Sequence, residues 1–362
     1  MTTSFALYRL PFGRHATLLQ QQSGSPLLVS SGGNDHPLLA LNGQDGFVVA
    51  PFAVSQEQPL LLIRPDSVAD IQLNADFGAT VRERYSAVVL SVQRRCTIST
   101  APLYFSLRTA YARDFNRFHA SLGAGAFRKL VLSRCLELPA GADAPDGLQL
   151  FSRACQLYPR VFVALVYTPQ SGLWLTATPE ILLESDGQRW RTIALAGTQP
   201  ASDDSEPQWS AKDQEEQRLV AAYIADCLSH LAIDVHEEGP RTVRAAHLLH
   251  LRSDFTFSLP STAGIGHLLQ ELHPTPAVCG LPKAEASAFI LAHEQSPRRY
   301  YSGFLGPLGR GATHLYVTLR CMEIFADGFR LYAGGGLLAE STEQQEWQET
   351  ETKLDTMRRL LV

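Results

Sequence analysis

Basic residues are not in excess in this sequence, which has 31 lysines and arginines against 36 aspartates and glutamates, a net charge of −5. Proteins that bind nucleic acid or an anionic bilayer usually carry a basic surplus. Apolar runs such as Leu60 to Ile63 are far shorter than a bilayer span of about 20 residues. The first residues also lack the basic and apolar regions of a signal peptide. We therefore expect no nucleic-acid partner and no membrane partner.

Cysteine is sparse and scattered. The six cysteines are spread over 362 residues, with no CxxC motif and no cysteine–histidine cluster of the kind that zinc and redox sites need. We expect reduced thiols and a cytoplasmic protein. With 45% hydrophobic and 19% charged residues, the composition is otherwise that of an ordinary globular protein with a large core.

Lysine is scarce, since only four of the 31 basic residues are lysines: Lys129, Lys212, Lys283 and Lys353. A bias toward arginine codons accounts for the general pattern. It does not explain why lysine persists at these four positions, each of which lies in or beside a segment with candidate chemistry.

The order of apolar and turn residues predicts a mixed α and β chain. Residues 1–105 have the pattern of short strands and turns, with one strand at 85–92. The remaining predicted elements are helices at 111–122, 147–158, 210–231, 264–272, 283–293 and 342–362, strands from Lys129 and at 243–259, an antiparallel meander at 161–198, a surface loop at 199–208 and a hairpin at 314–337. Because there is no repeat and no low-complexity linker, we expect residues 1–105 and 106–362 to pack as one compact α+β unit.

Two predicted helices each carry a pair of carboxylates at i, i+3 spacing, which places both on one helix face. The pairs are Asp213 with Glu216 and Glu346 with Glu349. If the helices converge, four carboxylates with no nearby histidine or cysteine form an all-oxygen site that suits Mg²⁺. The alternative is two solvated faces with intrahelical ion pairs, and spacing alone favours that alternative.

Lys129 opens an apolar strand, and Glu180 follows a proline at a strand edge. A lysine held against apolar surface loses charge stabilisation and can act as a general base. A partly buried glutamic acid can stay protonated and donate to a leaving oxygen. Together they suggest acid–base chemistry, whereas the simpler alternatives are a lysine that marks a strand end and a solvated glutamate.

Glycine-rich turns are expected at 196–198 and 334–336, and neither matches a phosphate loop or a dinucleotide fingerprint. Glycines there let backbone N–H groups approach a carboxylate closely. Arg320, expected inside an apolar strand, is costly to bury unless it meets an anion. A dicarboxylate ligand would fit these features.

The segment from Leu272, LHPTPAVCGLPKAEASAFILAHEQSPRRYYSG, is followed by LYVTLRCMEIF, LYAGGGL and EWQETETKL. These motifs resemble the chorismate-utilising enzymes, and within them the isochorismate synthases. The resemblance extends from about Phe127 to the last residue. It implies the chorismate-binding fold, with two large, mostly antiparallel β-sheets packed together and helices outside. It also implies an isomerase that converts chorismate to isochorismate with Mg²⁺, in menaquinone or siderophore biosynthesis.

The resemblance also implies a role for each candidate residue. Lys129 corresponds to the base that activates water, and Glu180 to the acid that protonates the departing hydroxyl. Glu216 and Glu349 correspond to the principal Mg²⁺ ligands, with Asp213 and Glu346 as nearby carboxylates that act through water. The implied substrate contacts are Gly197, Thr198 and Lys353 at the ring carboxylate, His250 at the reacting face, Tyr301, Arg320, Gly334, Gly335 and Gly336 at the enolpyruvyl group, and Ala277 in the segment TPA.

The sequence departs from the family pattern at Gln217, at 199–200 and at 306–308. None of these positions carries a proton-transfer or metal-binding residue, so we expect the departures to affect the reaction rate and the loop geometry but not the type of reaction. Family members that add ammonia typically lack the lysine matched by Lys129. We therefore expect a water-using enzyme that needs no glutaminase subunit and is a monomer or weak dimer. The alternatives are a salicylate synthase, a non-catalytic chorismate-binding paralogue and, from the residues without the resemblance, a Mg²⁺-dependent hydrolase.

Overall fold

The computed structural model describes residues 4–28, 36–83, 108–141, 143–201, 208–245, 248–260, 264–309 and 311–362. The strand predicted at 85–92, most of the predicted loop at 199–208 and Cys96 lie outside these ranges. The other cysteines are free thiols: Cys135, Cys155, Cys227, Cys279 and Cys321. No helix in the described ranges is both long enough and apolar enough to span a membrane.

The described residues form strands and helices in the following chain order. The strands are β1 (Ser4–Arg9), β2 (His15–Gln21), β3 (Gly46–Ala50), β4 (Leu61–Ile63), β5 (Ser67–Gln72), β6 (Lys129–Pro139), β7 (Phe162–Thr168), β8 (Gly172–Thr178), β9 (Ile181–Ser185), β10 (Trp190–Pro200), β11 (Ile233–Ala245), β12 (Leu248–Ser258), β13 (Gly280–Leu281), β14 (Phe304–Leu308), β15 (Thr313–Val317), β16 (Cys321–Ile324) and β17 (Gly328–Leu337). The helices are α1 (Arg108–Gly123), α2 (Gly147–Leu157), α3 (Ala211–Leu231), α4 (Ile265–Leu272), α5 (Lys283–His293) and α6 (Glu343–Arg358), with a 3₁₀ turn at Pro37–Leu41.

The strands make two large antiparallel sheets, which confirms the predicted fold class. The first sheet has nine strands in the order β13-β6-β17-β16-β8-β7-β1-β2-β5, and the second has eight in the order β11-β12-β10-β9-β15-β14-β3-β4. The main core lies between the sheets, where the rings of Phe162 in β7 and Tyr316 in β15 stack with centroids 4.3 Å apart. Helices α2 and α6 cover the other face of the first sheet through a second cluster that includes Phe151 and Leu354.

Local sequence explains where the helices begin. At α3, Ser210 and Asp213 form a capping box, because the Ser210 side chain accepts from the Asp213 N–H and the Asp213 side chain accepts from the Ser210 N–H. Asp146 and Gln149 form the same arrangement at α2. Lys283, one of the four lysines, donates to the carbonyls of Gln270 and Glu271 at the end of α4. The six predicted helices are therefore confirmed to within a few residues.

The predicted meander and hairpin are each divided between the two sheets. The chain leaves the first sheet after Thr178 and enters the second at Ile181. It returns from the second sheet to the first between Val317 and Cys321. Arg320 is therefore not inside a strand, as expected, but lies in this crossover with a φ of 45°. An apolar pattern on its own does not reveal such a crossover, because both strands are buried.

Two further predictions need correction. Gly334 to Gly336 do not form a turn, because they lie inside β17 and pair with Val131 to Ser133 of β6. Gly197 lies inside β10, next to a register shift between Ala196 and Gln199. In addition, β11 begins at Ile233 rather than near residue 243, and its exposed polar residues masked the strand pattern.

Candidate active site

The two crossovers between the sheets bind each other and place Glu180 and Arg320 beside one cavity. Thr178 Oγ1 donates to the Val317 carbonyl at 2.7 Å, and the Val317 N–H donates to the Glu180 carbonyl at 2.9 Å. The Ala177 N–H donates to the Arg320 carbonyl at 3.0 Å. Because the hydrogen bonds fix both backbones, an acid and a cation are held between the sheets by rigid elements.

Twelve of the predicted site residues line this cavity. They are Glu180, Gly197, Thr198, Glu216, His250, Ala277, Tyr301, Arg320, Gly334, Gly336, Glu349 and Lys353. Lys129, Asp213, Gly335 and Glu346 lie next to it rather than on its wall.

Lys129 begins β6 and is fully buried. Its Nζ forms an ion pair with Glu216 Oε1 on α3 at 3.0 Å and makes no other polar contact among the described residues. Burial opposes the charge of Glu216, but Lys129, Lys212 and Lys353 together lower the pKa of this carboxyl. A buried ammonium with unused donor capacity is suited to a polar ligand or water molecule.

Glu180 is 3% exposed, and burial raises the pKa of its carboxyl to about 7 although Arg320, Lys129 and Lys353 counteract the shift. A carboxylic acid with this pKa is about half protonated at neutral pH and can donate a proton. The environment of Glu180 therefore suits a general acid.

Arg320 is 9% exposed, and no carboxylate of the described residues forms an ion pair with it. Burial lowers the pKa of its guanidinium, while the nearby Tyr301 and Glu180 act in the opposite direction. A buried guanidinium without a paired carboxylate is costly. It is therefore suited to an anionic ligand in the cavity.

His250 in β12 is buried, and burial together with Arg320 lowers its pKa to about 3. The ring is thus neutral at physiological pH. Its Nδ1 donates to the Gly197 carbonyl at 2.9 Å, which leaves Nε2 as an acceptor without a partner among the described residues. That nitrogen can accept a hydrogen bond from a hydroxyl group of a ligand.

Helices α3 and α6 bring the predicted acidic residues against the glycine segment of β17. A Cβ at Gly336 would lie 2.2 Å from Glu216 Oε1, and one at Gly335 would lie 2.9 Å from Glu346 Oε2. Only glycine permits these approaches, so Gly335 and Gly336 allow carboxylates to pack closely against the strand. A Cβ at Gly334 would instead lie 2.8 Å from the Tyr301 hydroxyl.

Three of the four lysines neutralise these carboxylates. Lys353 Nζ contacts Glu349 Oε1 at 2.5 Å and also the Gly334 carbonyl, while Lys212 Nζ contacts Glu346 Oε1 at 2.5 Å. Since Lys129 contacts Glu216, each carboxylate except Asp213 has its own ammonium. In the described ranges, no three acidic, histidine or cysteine side chains are gathered as a ready-made metal site.

Three polar residues beside the cavity make contacts that the sequence did not predict. Asp213 uses Oδ2 in the capping box of α3, where it accepts from Ser210 Oγ at 2.6 Å. Gln217, the departure from the family pattern, is buried and donates to Ser253 at 2.9 Å. Lys212 was not assigned to the site, although its rarity and its position beside Asp213 were a usable signal.

Comparison with known proteins gives a consistent picture. The family described as chorismate binding enzyme matches residues 93–362. The isochorismate synthase EntC of Escherichia coli strain K12 is 31% identical over 239 residues, which is 63% of this chain and 61% of EntC. The isochorismate synthase DhbC of Bacillus subtilis is 33% identical over 264 residues, or 67% of this chain and 65% of DhbC.

A solved structure shows the same fold over nearly the whole chain. The menaquinone-specific isochorismate synthase MenF from Escherichia coli aligns with a TM-score of 0.77 and 23% identity, covering 99% of this chain and 89% of MenF. The chain thus spans a little over three fifths of the length of EntC, 61%, and most of the length of the structural match.

Proposed function

We propose that this chain, which belongs to the family of chorismate-binding enzymes, converts chorismate to isochorismate. The observation that carries this proposal is the cavity between the sheet crossovers, which is lined by a protonatable Glu180 and by Arg320, a guanidinium that forms no ion pair among the described residues. The buried Lys129 lies next to this cavity, against the lining residue Glu216. Chorismate is a dicarboxylate, so its two carboxylates match a site that offers buried cations. The names of EntC and DhbC support the same reaction.

The proposed reaction exchanges one ring hydroxyl for another. In this step Lys129 acts as the neutral amine and takes a proton from water, and the oxygen of that water forms a bond with ring carbon C2. The ring double bonds shift, the C4–O bond breaks, and Glu180 gives its proton to the departing hydroxyl, which leaves as water. The proton that Lys129 gained and the proton that Glu180 lost balance each other, so the reaction needs no oxidant and no amino donor.

The remaining cavity residues hold the substrate in this account. Arg320 pairs with the enolpyruvyl carboxylate, and Lys353 lies at the ring carboxylate. His250 offers Nε2 to a ring hydroxyl of the substrate, and its Nδ1 hydrogen bond fixes both the imidazole ring and the Gly197 backbone of β10. Such fixed contacts lower the barrier by orienting the ring before proton transfer begins.

A divalent cation fits the carboxylates of α3 and α6. Glu346 Oε2 is buried without a hydrogen-bond partner among the described residues, and burial together with Glu349 raises the pKa of Glu346 to about 7. Neighbouring carboxylates that disfavour each other's charge are stabilised by a hard cation. We assign Glu216 and Glu349 as the principal Mg²⁺ ligands, with Asp213 and Glu346 acting through water. When bound, Mg²⁺ would neutralise these carboxylates and orient the ring carboxylate.

Product analysis tests the proposal. Purified protein incubated with chorismate and Mg²⁺ should give a chorismate–isochorismate mixture by liquid chromatography, and isochorismate should give the same mixture. Stoichiometric pyruvate with salicylate would establish the salicylate synthase alternative. An amine product on addition of ammonia would overturn the assignment of Lys129, and binding without turnover would establish the non-catalytic paralogue.

The partner and location predictions follow from the same proposal. A water-using enzyme needs no ammonia-supplying subunit, so we propose that this chain acts without a glutaminase, as a monomer or weak dimer in the cytoplasm. Chorismate is its one small-molecule partner in this account.

A further inference from the structure

Arg298, between α5 and β14, joins two walls of the cavity without lining it. It is 5% exposed. Its Nη1 donates to the Val278 carbonyl at 2.6 Å, and its Nη2 donates to the Val131 carbonyl at 2.7 Å. Val131 and Val278 both line the cavity. One side chain therefore spans the strand that begins with Lys129 and the segment that carries Ala277.

A buried carboxylate completes this connection. Glu294 accepts from Arg298 Nε at 2.6 Å and from Nη2 at 2.9 Å, and its Oε1 also accepts the Ser133 N–H at 2.6 Å. Arg298 and Glu294 thus hydrogen-bond to the β6 backbone at Val131 and at Ser133, respectively. A buried ion pair is retained at a desolvation cost, which points to a role in fixing geometry.

Phe52, in the N-terminal part of the chain, packs against the Arg298 guanidinium. The Phe52 ring lies under the guanidinium, 4.3 Å from centroid to Cζ, and the Phe52 N–H donates to the Arg299 carbonyl. The Nε2 atom of His273 lies 3.2 Å from the carbonyls of both Pro51 and Phe52. Segment 51–52 is therefore bound both to Arg298 and to the start of the Ala277 segment.

We propose that Arg298 is a positioning residue that sets the spacing between Lys129 and the Ala277–Val278 wall, held in place by Phe52. The proposal rests on the function proposed above, because the spacing matters for water attack on a ring held between these walls. It also gives residues 1–105 a part in the site, since Phe52 belongs to them.

The test compares Arg298→Lys with a matched control, Arg9→Lys. Arg9 is 1% exposed and donates to the carbonyls of Tyr158, Pro159 and Val161, none of which lines the cavity. Both variants keep the charge and lose the fork that binds several carbonyls at once. We expect similar losses of melting temperature in the two, but a further loss of kcat/KM of about tenfold or more in Arg298→Lys alone.

Hydrogen exchange provides a readout that does not depend on turnover. The Val131 N–H donates to the Cys279 carbonyl, and the Cys279 N–H donates to the Thr275 carbonyl. These two amides should exchange faster in Arg298→Lys than in Arg9→Lys. The amides of α2 should exchange in Arg298→Lys at the same rate as in the wild type. If Arg298→Lys does not fold, Phe52→Leu removes the ring below the guanidinium and should accelerate exchange at the same amides.

The outcomes separate the two proposals. A wild-type protein that does not convert chorismate refutes the proposed function, and the exchange data then decide the role of Arg298 alone. An active wild type, with kcat/KM of Arg298→Lys within twofold of Arg9→Lys and unchanged exchange at Val131 and Cys279, refutes the positioning role.

Discussion

Burial decides the chemistry of individual residues in this site. Glu180 has neighbours of opposite charge, yet burial outweighs them and raises its pKa to about 7. The sequence placed this residue beside a proline but gave no measure of its burial, which depends on the crossover between the sheets. The acid role of Glu180 was therefore a hypothesis that only the fold could strengthen.

Glu180→Gln tests that role through pH dependence. The folded pKa lies above the ordinary value of 4.5, so the carboxyl is protonated below about 7 and loses its proton as pH rises through that value. If donation is required, wild-type kcat/KM should fall above pH 7. The variant should lose about a hundredfold in kcat or more, and that alkaline decrease should disappear. A variant with wild-type rate would contradict the acid assignment.

Lys129→Arg separates base chemistry from charge. Arginine keeps a cation beside Glu216 but does not deprotonate, so it cannot accept a proton from water. We expect a loss of about a hundredfold or more in kcat, with chorismate affinity by calorimetry less affected. Lys283→Arg is the control, because Lys283 binds the end of α4 through carbonyls. Equal rates for wild type and Lys129→Arg would refute the base assignment.

At the scale of elements, sequence periodicity was informative about helices and weak about strand partners. The helices were predictable because capping residues and the apolar face are local signals, as at Ser210 and Asp213. The crossovers at Glu180 and Arg320 were not, since a buried strand has the same composition in either sheet. The glycines at 334–336 suggested a turn, whereas close contact with the Glu346 and Glu216 carboxylates explains Gly335 and Gly336, and close contact with the Tyr301 hydroxyl explains Gly334.

Gly336→Ala tests the glycine segment as part of the acidic cluster. The added Cβ would meet Glu216 Oε1 at 2.2 Å, so this carboxylate must move. We expect weaker Mg²⁺ binding by calorimetry and a higher Mg²⁺ requirement for turnover, by about tenfold or more if a principal ligand is displaced. Gly123→Ala is the control, because its Cβ would meet nothing within 4 Å. Unchanged Mg²⁺ affinity in Gly336→Ala would remove Glu216 from the ligand set.

At the scale of the whole molecule, the N-terminal part shares both sheets with the rest. Strand β1 pairs with β7 in the first sheet, and β3 pairs with β14 in the second. We therefore propose that residues 1–105 and 106–362 form one compact structural unit. The sequence supported this only by the lack of a linker, because strand pairing between distant segments leaves no local signal.

Removal of residues 1–105 should therefore prevent folding of the remainder. Deleting them exposes the edges of β7 and β14 and the apolar faces around Phe162 and Phe304. We expect one cooperative calorimetric transition for the full chain and none for residues 106–362. A truncated protein that unfolds cooperatively and binds chorismate would contradict the single unit.

The source of the new hydroxyl oxygen tests the central claim most directly. If Lys129 activates water for attack at C2, isochorismate formed from chorismate in ¹⁸O-labelled water should carry one ¹⁸O, located at C2 by mass spectrometry of fragments. The label should enter at the rate of product formation and should be lost in Lys129→Arg together with turnover. Isochorismate that forms at the wild-type rate without ¹⁸O would mean that the hydroxyl migrates within the substrate, and would contradict the account.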